Sequence, residues 1–334
     1  MCASLDLLPA TAPELEQAIE TNPNRWRSAL RRQLDRGDVP TGRAAARLLD
    51  RYGAFEDVGL LRAYAKTYRR RGVAPKLGVD LARRTSPRLQ IHDLGKVSLT
   101  IGTRSVALSG IRRKAATLLM YLLTRPSFTA NRDQVLDELW PDADPSSSSN
   151  SLNQSLYFLR REIDPWYEDD VATDYVAVQG DLVWLDPALV RADSTEFLAD
   201  ARRLRLGGHQ VDETLDLIAR YTGHFAPEFE YEEWAIGWRS RLRSALLDAA
   251  HSTIGASLRA DRLEMARDVA MALLDVDPTA TDIERRLIWL YWRLGATSAA
   301  RAQYEHLARG EQADGLDPTP LEDIARASRP DMGE

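Results

Sequence analysis

The sequence predicts a multidomain, mainly α-helical chain with one α+β module in its middle. Three observations carry this. Apolar residues recur at helical spacing up to about Thr85, the period changes to two at Arg88, and helical spacing returns from Val190. At 334 residues the chain is long enough for two or three domains, each burying its own core.

Residues 1–87 read as an N-terminal helical extension. Apolar positions follow a helical period in "PELEQAIE", "RWRSALRRQL", "GRAAARLLDRYG" and "DVGLLRAYAKTYRR", with breaks at Asn22-Pro23, Gly37-Asp38-Val39-Pro40 and Gly53. The helix, turn, helix pattern from Ala44 to Arg70 is HEAT-like in outline, although one unit is not an array.

Residues 88–187 read as a compact α+β domain. Leu89 and Ile91, then Val97, Leu99 and Ile101, then Val106 and Leu108 alternate as three short strands. "RRKAATLLMYLLTRP" follows as a helix ended by Pro126. "NRDQVLDELW" is a second helix with Asn131 as N-cap and Pro141 closing it, and "SNSLNQSLYFLRREI" is the third. "DYVAVQGDLVWLDP" then gives two β-rich runs joined through Gln179-Gly180-Asp181, a hairpin signal.

The third helix has two faces. Leu152, Leu156, Leu159 and Ile163 form a narrow core-facing stripe that requires no function. Opposite lie Asn150, Gln154, Tyr157 and Arg161, flanked by Asn153 and Arg160. A solvated face is usually a Glu/Lys mixture, whereas Asn and Ser are poor helix formers. Asn and Gln make bidentate contacts to adenine, and Arg contacts guanine or phosphate. On the helix alone, base reading and plain solvation stand level. Its neighbours shift the balance, because helix, turn, helix and hairpin together describe a winged helix-turn-helix, which sets one helix in the major groove. Arg112, Arg113 and Lys114, opening the domain's first helix, are candidate backbone contacts. Asn131, Gln179 and Gly180 complete the candidate DNA contacts, with Asp181 at the wing tip repelling phosphate.

Residues 188–334 read as TPR-like helical repeats. "LEMARDVAMALLDVDP" and "ATSAARAQYEHLARGEQADGLDP" echo each other, and placing Ala266-Arg267 on Ala300-Arg301 gives a spacing of 34. Asp277-Pro278 and Asp317-Pro318 are expected to end the repeat helices, since proline cannot continue a helix.

Composition narrows the function classes. Net charge is -6, divided as +6 over residues 1–87, -4 over 88–187 and -8 over the remainder. An acidic partner must therefore be met by local placement of cations rather than by bulk charge. Cys2 is the single cysteine, which excludes an internal disulfide and thiolate-rich metal sites. No apolar run approaches 18 residues and no leader pattern stands at the start, so a cytoplasmic protein with no membrane contact is expected. The five histidines, His92, His209, His224, His251 and His306, fit no metal or nucleophile spacing and read as surface or structural. Glu168, Asp169 and Asp170 read as a solvated loop, and Trp140, Trp166, Trp184, Trp234, Trp238, Trp289 and Trp292 as core anchors. An enzyme is not expected, nor is any cofactor.

The segment Arg88–Pro187 resembles the winged-helix DNA-binding domain of OmpR/PhoB-type regulators. "DELWPDADPSSSSNSLNQSLYFLRREI" is similar to the Streptomyces antibiotic regulatory protein (SARP) family, in which an "LWPD" loop precedes an "NSL...L..LRR" recognition helix. "VRADSTEFLADARRL", "YTGHFAPEFEYEEWAIGWRSRLRSALLDAA" and "QYEHLARGEQADGLDPTP" resemble the bacterial transcriptional activator domain that follows it there. The resemblance implies an activator that binds direct repeats in double-stranded promoter DNA and recruits RNA polymerase holoenzyme through its sigma factor. It places DNA contacts at Asn150, Asn153, Gln154, Tyr157, Arg160 and Arg161. It also implies a polymerase-facing loop of Trp140, Pro141, Asp142, Ala143, Asp144 and Pro145, with the repeats serving a homodimer or effector contact. Asn153 and Phe158 stand where that family often has Arg, so phosphate affinity and salt dependence should be reduced. No G-x-x-x-x-G-K-[ST] motif occurs, and residues 1–87 lack the strand alternation of a receiver domain. The rival reading is an interaction adaptor whose winged helix binds DNA weakly or not at all.

Overall fold

A computed structural model of the chain describes residues 13–36, 39–68, 77–164, 167, 173–207 and 210–326. Gly37-Asp38, Arg70, Trp166, the acidic run Glu168 to Asp170, and His209 lie outside the described residues. The chain divides into two compact units, Met1–Gln90 with Leu99–Arg191 and Ile91–Ser98 with Ala192–Glu334.

The first unit opens with α1 (Pro13–Thr21), α2 (Pro23–Arg36), α3 (Val39–Tyr52), α4 (Val58–Tyr68) and the short α5 (Val79–Thr85). α2 starts at the Asn22-Pro23 break and α3 ends before Gly53, because the fixed φ of proline suits a helix's first turn and glycine favours its end. Leu30, Leu34, Leu49, Leu61, Tyr64 and Leu81 pack into one buried cluster. Asp57 is fully buried beside that cluster, accepting from Arg27 Nε at 2.9 Å, from Arg31, and from the Ala54 backbone N–H at 2.9 Å.

Strands β1 (Leu89–His92), β2 (Ser98–Ile101) and β3 (Arg104–Val106) follow and with β7 (Val190–Ala192) form a sheet ordered β3-β2-β1-β7. Leu108 is not part of a strand as expected but opens a 3-10 turn, Leu108–Gly110. α6 (Arg113–Leu123) is the central helix of the winged module, buried from Ala115 through Leu123. It stops before Pro126, and that proline instead begins a turn, Pro126–Phe128.

α7 (Arg132–Leu139) and α8 (Pro145–Ile163) follow as helix-turn-helix. The wing has one more strand than the sequence suggested. β4 (Thr129–Asn131) pairs with β6 (Leu182–Leu185), which pairs in turn with β5 (Val176–Gln179), all antiparallel. Gln179 faces Leu182 across a two-residue turn, and Gly180 supplies the positive φ of 58° that such a turn demands of its first residue.

N-terminal helices and winged module meet within this unit. Arg83 pairs with Asp186 (2.7 Å), Ser86 Oγ and the Thr173 hydroxyl share a buried hydrogen bond of 2.7 Å, and the Tyr175 hydroxyl donates to the Pro87 carbonyl.

The second unit is helical: α9 (Asp193–Gly207), α10 (Val211–Arg220), α11 (Glu233–Arg259), α12 (Leu263–Val276), α13 (Thr281–Arg293), α14 (Thr297–Ala313) and α15 (Leu321–Arg326). The starts of α12 and α14 keep the 34-residue offset, and Ala266 and Ala300 are both fully buried, so the echo in sequence is an echo in packing. α12 ends at Val276 just ahead of Asp277-Pro278. α14 ends differently: Gly315, with φ of 76°, and a 2.8 Å bond from Leu316 N–H to the Glu311 carbonyl close a Schellman-type cap, well ahead of Pro318. Trp234, Trp238 and Trp289 are buried as expected, whereas Trp292 is 38% exposed. Residues 91–98 contribute Asp93, whose buried carboxylate accepts from the Ser194 backbone (2.7 Å) and hydroxyl (2.6 Å) at the start of α9.

Candidate nucleic-acid interface

α8 begins four residues before the "SNSL" stretch. Asp144 is its N-cap, accepting from Ser146 N–H at 3.0 Å and Ser147 N–H at 3.1 Å, and Pro145 occupies the first helical position. The Ser146 hydroxyl and those backbone donors hold the Asp144 carboxyl below the usual carboxylate range. Asp144 and Pro145, expected in the loop, therefore belong to the helix start. The intervening turn is shorter, running from half-buried Trp140 through exposed Pro141, Asp142 and Ala143.

The apolar stripe packs as expected, with Leu152, Leu156, Leu159 and Ile163 all buried. On the other face Asn150, Asn153, Gln154, Tyr157 and Arg161 are exposed. The Tyr157 ring meets Phe158 edge-on at 5.2 Å and Tyr167 at 5.8 Å between centroids, which limits its swing. Arg160 is turned away from that face. It is half-buried and its Nε donates to the Val176 carbonyl at 2.8 Å, tying α8 to the wing strand β5.

The cations at the head of α6 divide. The Arg112 guanidinium lies over the Phe158 ring, 3.5 Å from its centroid, so a positive charge from α6 rests on α8 at a position where α8 itself has none. Arg113 is exposed at the first residue of α6. Lys114 reaches the Leu139 carbonyl at 2.7 Å and lies 5.5 Å over Trp140, capping the C-terminus of α7. Asn131 sits at the junction of β4 and α7, its N–H bound to Gln134 Oε1 at 3.0 Å as one arm of a capping box. Gln179 and Gly180 are exposed at the wing tip beside exposed Asp181.

Arg132 is the residue the sequence reading missed. It is the first residue of α7; its backbone N–H donates to the Asp181 carbonyl at 2.6 Å, and its side chain reaches Ser149 and Asn153 on α8. One residue thus links wing turn, α7 and α8. Its signal in sequence is faint, since its partners lie 17 and 21 positions away.

Elsewhere, His92, His251 and His306 pair with Asp193, Asp282 and Glu284, consistent with structural roles. Among the described residues no group of three or more His, Cys, Asp or Glu is placed to hold a metal ion, and no helix is long and apolar enough to cross a membrane.

No family model matches the sequence, and no curated protein matches it. Among solved structures, the fold is similar to that of Mycobacterium tuberculosis EmbR in complex with a low-affinity phosphopeptide, with a TM-score of 0.55 and 18% identity. The likeness covers 74% of this chain and 67% of that one. The chain accordingly shares the fold of EmbR.

Proposed function

We propose that this chain is a sequence-specific DNA-binding transcriptional regulator, an activator that recruits RNA polymerase holoenzyme at promoters carrying direct repeats. The observation that carries the reading is the exposed face of α8, where Asn150, Asn153, Gln154, Tyr157 and Arg161 share one side of a helix set between α7 and a hairpin. That face is polar and donor-rich, as base edges and phosphates require. The SARP-like fold, shared with the SARP-family regulator EmbR, supports it. In this reading Arg112, Arg113 and Arg161 meet phosphate, the exposed Pro141-Asp142-Ala143 turn faces polymerase, and the repeats of the second unit pair two copies on adjacent half-sites.

A second reading, an interaction adaptor, draws on two observations: Lys114 and Arg160 are turned into internal bonds, and Asp181 is exposed at the wing tip. Anisotropy titrations of the full chain on promoter fragments at several salt concentrations separate the two. Gln154→Ala should relax the preference at one base pair by ~1–3 kcal/mol, whereas Arg161→Ala should weaken binding to every fragment or at one guanine. Absence of binding up to ~10 µM at low salt, where even non-specific affinity is typically found, would establish the adaptor instead.

A further inference from the structure

We infer that Arg132 and Asn153 form one reading unit that faces DNA with donors and selects guanine over adenine. The inference rests on α8 being a DNA-reading helix. Arg132 Nη2 donates to the Ser149 carbonyl (3.2 Å), the Ser149 hydroxyl (2.8 Å) and Asn153 Oδ1 (3.0 Å). A guanidinium only donates and stays protonated, so the Asn153 atom facing it is the amide oxygen and not the nitrogen. The chemistry of the partner therefore fixes an orientation that is otherwise ambiguous for an amide.

That orientation changes what Asn153 reads. Bidentate recognition of adenine uses both amide atoms, the oxygen accepting from N6 and the nitrogen donating to N7. With Oδ1 turned toward Arg132 and one of its lone pairs engaged there, Nδ2 is the amide atom that leads outward from the exposed side chain. Arg132 is half-buried, and its Nε and Nη1 have no hydrogen-bond partner among the described residues. The unit thus leads with N–H groups and one positive charge, its amide oxygen turned back toward Arg132. In the major groove two adjacent acceptors with no donor occur on guanine, at N7 and O6, whereas adenine N6 and cytosine N4 would face donor against donor. Gln154 is different: exposed and without a partner among the described residues, it keeps both amide atoms for adenine. Neighbouring amides on one helix are thereby assigned different bases.

The experiment is binding of the full chain to a panel of duplexes that differ at single base pairs, read for wild type, Asn153→Ala, Arg132→Ala and Asn153→Asp. Loss of preference in Asn153→Ala identifies the base pair under its control. At that pair wild type should favour guanine by ~10-fold or more, and Arg132→Ala should move the preference to adenine, since the amide is then free to turn its oxygen outward beside Nδ2. Asn153→Asp keeps the bond to Arg132 and so preserves the fold, but replaces the outward donor with an acceptor. It should shift the preference to cytosine. Guanine preference unchanged in either Arg132→Ala or Asn153→Asp, or adenine preference in wild type at that pair, overturns the inference while leaving DNA binding intact. A wild-type chain that binds no duplex overturns both.

Discussion

The N-terminal helices and the α6–α8 surface both depend on arginine, and they direct it oppositely. In the N-terminal helices Arg27 and Arg31 point inward to the fully buried Asp57, and Arg84 donates to the Asp50 and Arg51 carbonyls at 2.9 and 2.7 Å. On α6–α8, Arg112 rests on an aromatic ring, Arg132 holds an amide of α8, and Arg161 is exposed. The segment with a net charge of +6 thus commits these cations to its own carboxylates and carbonyls, while the segment at -4 displays cations beside its polar helix. Bulk charge by segment misleads about which region can meet phosphate, because a guanidinium counts the same whether it is paired inside or offered outside.

The largest effect should follow from breaking the inward arrangement. Asp57→Ala removes the buried carboxylate that Arg27 and Arg31 share and the acceptor of the Ala54 N–H, leaving Arg27 with Glu56 at 2.8 Å; breaking such a buried pair typically costs ~3–5 kcal/mol. Urea unfolding of the variant should show an unfolding free energy lowered by that amount, with no change in the salt slope of any DNA binding that survives folding. A change in that slope would mean that Arg27 or Arg31 reaches phosphate, and the comparison would break.

Asp93 sharpens it from the other side, as an equally buried carboxylate with no guanidinium partner among the described residues. It is held by the Ser194 N–H and hydroxyl, and Trp238 Nε1 donates to that hydroxyl at 3.3 Å. Burial pushes its pKa up to about 7, assisted by neighbouring Asp193, against the lowering effect of the Ser194 bonds. The folded pKa lies above the unfolded value near 3.8, so the native state binds more protons between the two, and stability falls as pH rises through that window. At 1.36 kcal/mol per unit the upper bound is about 4 kcal/mol. Asp93→Asn imitates the protonated acid and should abolish this component. Subtracting unfolding free energies of variant and wild type from pH 4 to 8 isolates it from His92, which pairs with Asp193 nearby. A flat difference would show that Asp93 stays ionised.

These cases also mark what the sequence could disclose. The α8 stripe, the first strands and the 34-residue offset were legible because each depends on local periodicity, which packing then uses directly. β4 was not: three residues, Thr129–Asn131, carry no period of their own and become a strand only by pairing with β6 more than 50 residues on. The early start of α8 was written in Asp144-Pro145, an N-cap followed by a first-turn proline, but the serines after it are poor helix formers and hid the signal. Arg132 and Asp93 were illegible for one shared reason. The role of each is set by a partner that only folding brings near, Asn153 in one case and Ser194 in the other.

The smallest effect belongs to the outward arrangement. Arg112 over Phe158, with the arginine exposed, is a cation–π contact of ~0.5–1 kcal/mol. Phe158→Leu keeps apolar volume and removes the ring face, so the unfolding free energy from urea titration should fall by no more than that. DNA binding should respond more than stability does, because the ring is what keeps the guanidinium on α8. Arg112→Ala should reduce the slope of log affinity against log salt by about one phosphate contact, and Phe158→Leu should reduce it partially by letting the charge wander. In Asp57→Ala the expected pattern is the reverse, a large loss of stability with the salt slope unchanged. If Arg112→Ala instead lowers stability by several kcal/mol and leaves the slope untouched, the two regions use arginine alike, and the cations of α6–α8 are structural as well.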